Sequence, residues 1–262
     1  IIIIIFNSME HYTISDFFTR INYNWKDHRE YINNINRLTK TKRNTRSNTN
    51  IEHPYMEQAY LLHALVEYYN CTNFFEIGTG RGTGSYSVSL LPSVEKIVTL
   101  DIIPMNRKMD TYVNFELVNV SLRDIYNMIP YSEKKKIEFI TSTSFDFDVK
   151  NNTNKFDVAF IDGDHDNIDT IINDFEVSNQ ITKDDGVIIF DDYLNIEGST
   201  RAIDKIISNH PEYSYYRVSF YGKLFDHGPV EDSNQNVVIL EKKPKFTALN
   251  QKNQGLYHKF LM

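Results

Sequence analysis

The chain has 262 residues, 41% hydrophobic and 24% charged, with a net charge of -7, enough for one sizeable core and a small appendage. That acidic balance argues against broad attraction to nucleic acid or to an anionic membrane surface. A lone cysteine, Cys71, excludes an intramolecular disulfide framework and fits a reducing, cytoplasmic compartment, and no apolar run approaches the roughly 18 residues that a bilayer requires.

The apolar run Ile1 to Phe6 is too short for a signal sequence and has no basic segment before it; Met9 stands as an alternative start. From residue 9 to 32, Ile14, Phe17, Phe18, Ile21, Trp25, Tyr31 and Ile32 recur at mixed helical spacing, which predicts one or two helices. The stretch from Asn33 to Asn50 carries five basic residues, six asparagines and no acid. It reads as a flexible solvated loop rather than a phosphate- or RNA-binding arm, because no aromatics are interleaved; a lid over a site is compatible with that. Pro54 suits the first turn of a helix continuing through Ala59, Leu62, Leu65, Val66 and Tyr69, and His63 on it reads as a packing or surface residue.

Next comes Asn73-Phe74-Phe75-Glu76-Ile77-Gly78-Thr79-Gly80-Arg81-Gly82-Thr83-Gly84. An apolar run, four glycines at alternating positions and a small-residue helix start predict a buried strand, a tight turn, and a helix whose first amides face that turn. The spacing does not fit G-x-G-x-x-G: from Gly78 the third glycine falls on Thr83, and from Gly80 on Ser85. A second strand, Lys96 to Leu100, ends in Asp101, whose carboxylate can accept both hydroxyls of a ribose. Phe115 to Met128 is expected to be helical, with an extended reading open for Val113 to Val120. Lys136 to Thr141 reads as a third strand, ending in Ser142-Thr143-Ser144.

Val158 to Ile161 is an apolar strand running into Asp162-Gly163-Asp164-His165-Asp166-Asn167, and a helix follows. Gly186 to Phe190 is a further apolar strand, ending in Asp191-Asp192-Tyr193. A short helix over Ser199 to Ser208 and two closing strands, Tyr213 to Tyr221 and Asn236 to Glu241, complete the order, with residues from Lys242 on polar and peripheral. Strands alternating with helices predict a doubly wound α/β sheet, whose strands gather ligands at their carboxyl ends.

Asp162 closes one such strand and Asp191-Asp192 the next; neighbouring strands lie ~4.8 Å apart, so the three acids should converge. Grouped carboxylates oppose each other's ionisation, and a hard divalent cation, Mg²⁺ most readily, relieves that. The competing reading makes Asp191 or Asp192 turn or cap residues. Asp164 and Asp166 read as helix-start acids. His165, with an ordinary pKa near ~6.5, could take a proton at neutral pH, or serve only as a neighbour of the site; His227 is a weaker candidate on the same face.

The string E-I-G-T-G-R-G-T-G with Asp101 downstream resembles motif I of the class I S-adenosylmethionine (SAM)-dependent methyltransferases. D-G-D-H-D-N followed by F-D-D-Y is similar to the metal-dependent O-methyltransferases of the catechol, caffeoyl-CoA and macrocin (sugar) types. The resemblance covers about Glu57 to Leu240 and implies seven strands in the order 3-2-1-4-5-7-6, the last inserted antiparallel. It implies SAM bound by Glu76, Gly78, Thr79, Gly80, Gly82, Asp101 and Asp162, with Thr143 and Ser144 where the family meets adenine. It further implies Mg²⁺ held by Asp162, Asp191 and Asp192, with Asp162 and His165 catalytic, although His165 stands where the catechol type carries lysine. The domain division that follows is an N-terminal helical segment with its basic loop (1–50), a methyltransferase domain (51–243) and a polar tail (244–262). The implied partner is a small hydroxylated acceptor such as a sugar or a vicinal diol, with neither nucleic acid nor membrane; a homodimer stays open. Metal-independent transfer to nitrogen or another small acceptor, a nucleotide-dependent oxidoreductase, and a non-catalytic SAM-fold binding protein are the rivals.

Overall fold

The computed structural model describes residues 9–39, 57–114, 116–219, 224 and 235–248. The chain enters through β1 (Glu10–Thr13) and α1 (Ile14–Arg20), passes a 3-10 turn (Trp25–His28) and α2 (Arg29–Thr39), and resumes in α3 (Glu57–Tyr68). The core then runs β2 (Asn73–Ile77), α4 (Thr83–Ser89), β3 (Lys96–Asp101), β4 (Lys108–Val113), β5 (Glu116–Ser121), α5 (Leu122–Met128), β6 (Ile137–Thr141), β7 (Phe156–Ile161), α6 (Ile168–Ile181), β8 (Thr182–Tyr193), α7 (Glu197–Asn209), β9 (Ser214–Ser219) and β10 (Asn236–Glu241). Pro54 and His227 lie outside the described residues, as do positions 40–50 of the basic stretch; Asn33 to Thr39 belong to α2.

One mixed sheet has the order β1-β9-β10-β8-β7-β2-β3-β6, and β4-β5 form a separate pair. β10 is antiparallel to both its neighbours; the other pairs in the large sheet are parallel. The doubly wound α/β reading holds; the expected order recurs as β6-β3-β2-β7-β8-β10-β9 with β10 antiparallel, and the expected seven strands become eight because β1 is added beside β9. The added strand is β1, in a stretch expected to be helical. Tyr12 is buried edge-on against Tyr216 and Phe246, and Thr13 ends the strand by capping α1, its side chain accepting from the Asp16 N–H.

Consecutive residues in the central strands are both buried because helices cover both faces. Phe74, Val158, Phe160, Val187 and Ile189 pack with α3 and α4 on one side; Phe75, Ala159, Ile161, Ile188 and Phe190 pack with α6 and α7 on the other. This produces the unbroken apolar runs, since parallel strands buried on two faces lose the alternation of a half-exposed strand. Full burial of a side chain such as Phe74 or Phe75 contributes about 1.5–3 kcal/mol.

One expectation is narrowed here and one corrected. Of the two readings open over residues 113 to 128, the extended one holds for strand β5 and the helix is confined to the short α5, because Val118 and Val120 with Thr111 and Val113 across the hairpin favour extended backbone. Asn114 takes φ 49° at its turn, and Ser121 then starts α5 through a capping box with Asp124. The region beyond Lys242 is not uniformly peripheral. Phe246 is buried among Tyr12, Phe17 and Tyr216, and its N–H and that of Thr247 donate to the buried Glu241 carboxylate at 2.7 and 3.2 Å.

Candidate active site

The register of the sheet sets the site. Ile77 pairs with Leu100 on one side and Ile161 on the other, and Ile161 with Phe190. The residues that follow, Gly78, Asp101, Asp162 and Asp191, therefore stand at one level along the sheet. The strand order reverses about β2, with β3 on one side and β7 on the other, and this crevice is where doubly wound folds bind ligands.

The glycine turn is tied down at each step. Gly78 and Thr79 donate their N–H groups to the Leu100 carbonyl at 2.9 and 3.2 Å, and the Gly80 N–H donates to Asp101 Oδ2 at 2.9 Å. Asp101 Oδ1 accepts the Ile103 N–H at 2.8 Å; each oxygen keeps a lone pair for a hydroxyl of a bound molecule. Gly78 has φ +94°, and a Cβ there would lie 1.9 Å from the Asp162 carbonyl oxygen. Gly80, at φ +52°, would place a Cβ with nothing within 4 Å, so its backbone faces open space. Gly82 does not line the cavity described below; it starts α4 and leaves room for the Tyr86 ring.

Asp162, His165 and Asp192 each offer a ligand atom within 4.8 Å of the others. His165 Nε2 stands 3.9 Å from Asp162 Oδ1, and its Nδ1 3.2 Å from Asp192 Oδ2. Asp191 is not part of this group. Along β8, Ile189 faces α3 and Phe190 faces α6, so the period of two returns Asp191 to the α3 side. There it accepts from Gln58 Nε2 at 2.5 Å. Asp192 reaches the group through a left-handed backbone, φ 57°, a conformation costing a non-glycine residue of order 1–3 kcal/mol and concentrated at functional sites. It also does turn duty, since its Oδ1 accepts from Asn195 Nδ2 at 2.8 Å. The His165 carbonyl accepts from Ser199 Oγ at 3.1 Å, so the start of α7 fixes the loop that presents the imidazole. Asp164 Oδ1 accepts the N–H groups of Asp166 and Asn167. The cap of α6 is Asn167, accepting from Asp169 and Thr170, rather than Asp166.

A cavity of about 660 Å³ runs from the glycine turn past Asp101 to Ser144 and back to Asp162 and His165, within the usual range of roughly 300–1,000 Å³ for small-molecule sites. Thr143 and Ser144 line it, although the Thr143 hydroxyl donates to Asp146 at 2.8 Å and Ser144 Oγ accepts from Asn173 Nδ2 at 2.8 Å. Gln58 and Asp174 also line it, and sequence reasoning missed both. Burial pushes the Asp174 carboxyl up to about 6, against the lowering effect of its bond to the Ser144 hydroxyl. A signal for Asp174 existed: it falls in the buried series Ile171, Asp174, Phe175, Ser178 of α6, where an acid at a core position of a helix requires a partner. Gln58 left no such signal.

Glu76 is fully buried below the turn, accepting from the hydroxyls of Ser85 at 2.5 Å and Thr99 at 2.6 Å. Its burial raises the carboxyl from 4.5 to about 7, those hydroxyl bonds opposing the rise. A carboxyl raised in the folded state is neutral there at low pH; the folded chain loses stability as pH climbs from the unfolded value through the folded one. Glu76→Gln is accordingly expected to gain on the parent between about pH 5 and pH 8, by about 3 kcal/mol in full. Thermal and denaturant unfolding of both chains at four pH values measures this, and a gap that stays constant with pH refutes it.

Residues 75–193 match the family model described as a methyltransferase domain. No curated protein matches the chain. Among solved structures, the cofactor-bound Rv0187 from MTB is similar at 14% identity over 84% of this chain and 90% of that one, with a TM-score of 0.52. A spermidine synthase in complex with a transition state analogue, AdoDATO, is similar at 14% identity over 73% of this chain and 62% of that one, TM-score 0.52. The methyltransferase domain of bacterial CtHen1-CN is similar at 13% over 72% and 100%, TM-score 0.50. These three likenesses are likenesses of fold. The segment that matches the methyltransferase domain, residues 75–193, is the one that carries the glycine turn and the strand-end acids Asp101, Asp162, Asp191 and Asp192.

Proposed function

We propose that the chain transfers the methyl group of SAM to a hydroxyl oxygen of a small acceptor, a sugar or a vicinal diol, with a divalent cation held by Asp162 and Asp192. The observation that carries the reading is the meeting of Asp162, His165 and Asp192 beside the cavity that begins at the glycine turn. Two carboxylates suit a hard cation such as Mg²⁺; when bound, it would lower the pKa of an acceptor hydroxyl and offset the two negative charges.

The chain's own residues do the rest. The open backbone at Gly80 and the Asp101 carboxylate hold the adenosyl part of the donor, and the turn keeps its sulfonium in place. His165 accepts the hydroxyl proton on its imidazole. The oxygen bonds to the methyl carbon as the carbon–sulfur bond breaks, and sulfur leaves as the neutral thioether of S-adenosylhomocysteine. Asp192, at 3.2 Å from Nδ1, steadies the imidazolium. Alignment of oxygen, carbon and sulfur is the larger part of the work, since fixed geometry can supply about 7–11 kcal/mol of the barrier.

A second reading keeps the same transfer without a cation. The imidazole already stands between the two carboxylates, an arrangement that orients a base by itself. Calorimetry with S-adenosylhomocysteine, with and without Mg²⁺, separates the two. The expected result is product binding in both conditions, heat on adding Mg²⁺, and loss of turnover in chelator. Asp162→Ala is expected to abolish turnover while retaining that binding. No heat from Mg²⁺ together with undiminished turnover in chelator selects the cation-free reading, and no binding of S-adenosylhomocysteine at all removes both.

A further inference from the structure

A second pocket, of about 540 Å³, shares no lining residue with the donor cavity and opens between the 3-10 turn at Trp25–His28 and the end of α3. Its described lining includes two acids, Asp27 and Glu67, with Asn24 and Asn70, and no lysine or arginine. On α3, His63 and Glu67 are four residues apart and share a face. His28 comes across from the 3-10 turn, and one donor atom from each of His28, His63 and Glu67 lies within 4.8 Å of the others.

Neither imidazole is placed as a packing ring alone. Their centroids are 4.5 Å apart with planes tilted at 45°, so the two rings meet without stacking. Tyr23 governs both: its ring stacks on His28 at 5.2 Å and 8°, and its hydroxyl lies 2.9 Å from His63 Nδ1. Outer partners of this kind fix the orientation of metal-bound imidazoles. His63 is 2% exposed on a helix whose neighbouring buried positions are Leu61, Leu62, Ala64 and Leu65, where an aliphatic side chain would pack at lower desolvation cost.

We propose that His28, His63 and Glu67 form a three-ligand site for Zn²⁺ that clamps the N-terminal 3-10 turn to α3, its remaining position facing the pocket. Two imidazoles and one carboxylate suit a borderline first-row cation; Mg²⁺ and Ca²⁺ favour oxygen donors throughout. The clamp is separate from methyl transfer. It holds the segment before the core onto the helix whose opposite end carries Gln58 in the donor cavity.

The test is calorimetric titration of the tag-free, metal-stripped full chain with Zn²⁺, with the visible absorption of Co²⁺ as a second readout of tetrahedral nitrogen ligation. Because Asp162, His165 and Asp192 could take the same ion, the titration is repeated in Asp192→Ala. One Zn²⁺ per chain is expected to persist in Asp192→Ala and to raise the melting temperature. His28→Ala and Glu67→Gln, whose side chains are not buried, are each expected to weaken it by about 100-fold or more, given that loss of an outer partner alone costs about 10–100-fold. Zn²⁺ uptake that vanishes in Asp192→Ala, or that is unchanged in both His28→Ala and Glu67→Gln, overturns the proposal.

Discussion

Replacing His165 with alanine is expected to lower the rate of methyl transfer about 10²–10⁴-fold, the range a positioned acid or base supplies. The affinity for S-adenosylhomocysteine should stay within about a factor of two, since the imidazole is 36% exposed and supports no part of the glycine turn. Its contacts are with Asp162 at 3.9 Å and Asp192 at 3.2 Å, so the variant leaves two carboxylates facing one another with no proton acceptor between them. Steady-state rates and product calorimetry on the same preparation check both halves. Added imidazole should restore part of the lost rate, which a scaffolding role for His165 would not permit. A rate within a few-fold of the parent would remove His165 from the chemistry.

Gly78→Ala is expected to be the most damaging single change at the turn, costing about 2–5 kcal/mol of stability and abolishing binding of S-adenosylhomocysteine. Two costs add. An L-residue at φ +94° is outside its comfortable range, a strain of about 1–2 kcal/mol. The new methyl would also sit 1.9 Å from the Asp162 carbonyl oxygen, and overpacking of that kind costs typically about 1–3 kcal/mol. Relief requires β2 and β7 to part at the crevice where the donor must lie. Gly80→Ala gives the contrast. Its methyl meets nothing within 4 Å, so stability should fall only by the strain of about 1–2 kcal/mol, and any larger loss should appear in donor binding. Equal losses in both variants, read by denaturant unfolding and calorimetry, would show that collision with Asp162 is not the cause.

The runs at Phe74, Val158 and Val187 were legible because strands covered on both faces have no polar interruptions, and the acids that end them mark the level of the crevice. The hairpin β4-β5 was legible only as an open alternative over Val113 to Val120: its burial is partial, with Leu117 exposed, and a half-covered strand next to a seven-residue helix leaves no clean period of either kind. At the site, the convergence of Asp162 with the Asp191-Asp192 pair could be read, but not which of that pair would face His165. Adjacent residues on a strand point to opposite faces, so the choice rests on a single left-handed backbone angle at Asp192. That angle depends on how α7 returns over the loop, a tertiary fact. Asp174, by contrast, was available to anyone counting threes and fours along α6.

β1 carries a consequence for how the chain is made. Glu10 sits beside Tyr216, and Thr13 beside Ser219, so the first described strand docks on one that leaves the ribosome some two hundred residues later. Pairings this distant in sequence are slow to close. Until β9 emerges, Tyr12 and Phe17 lack the Tyr216 ring they pack against. A nascent chain paused after β8 would therefore display an aromatic surface at its leading end, the feature by which chaperones hold unfinished proteins.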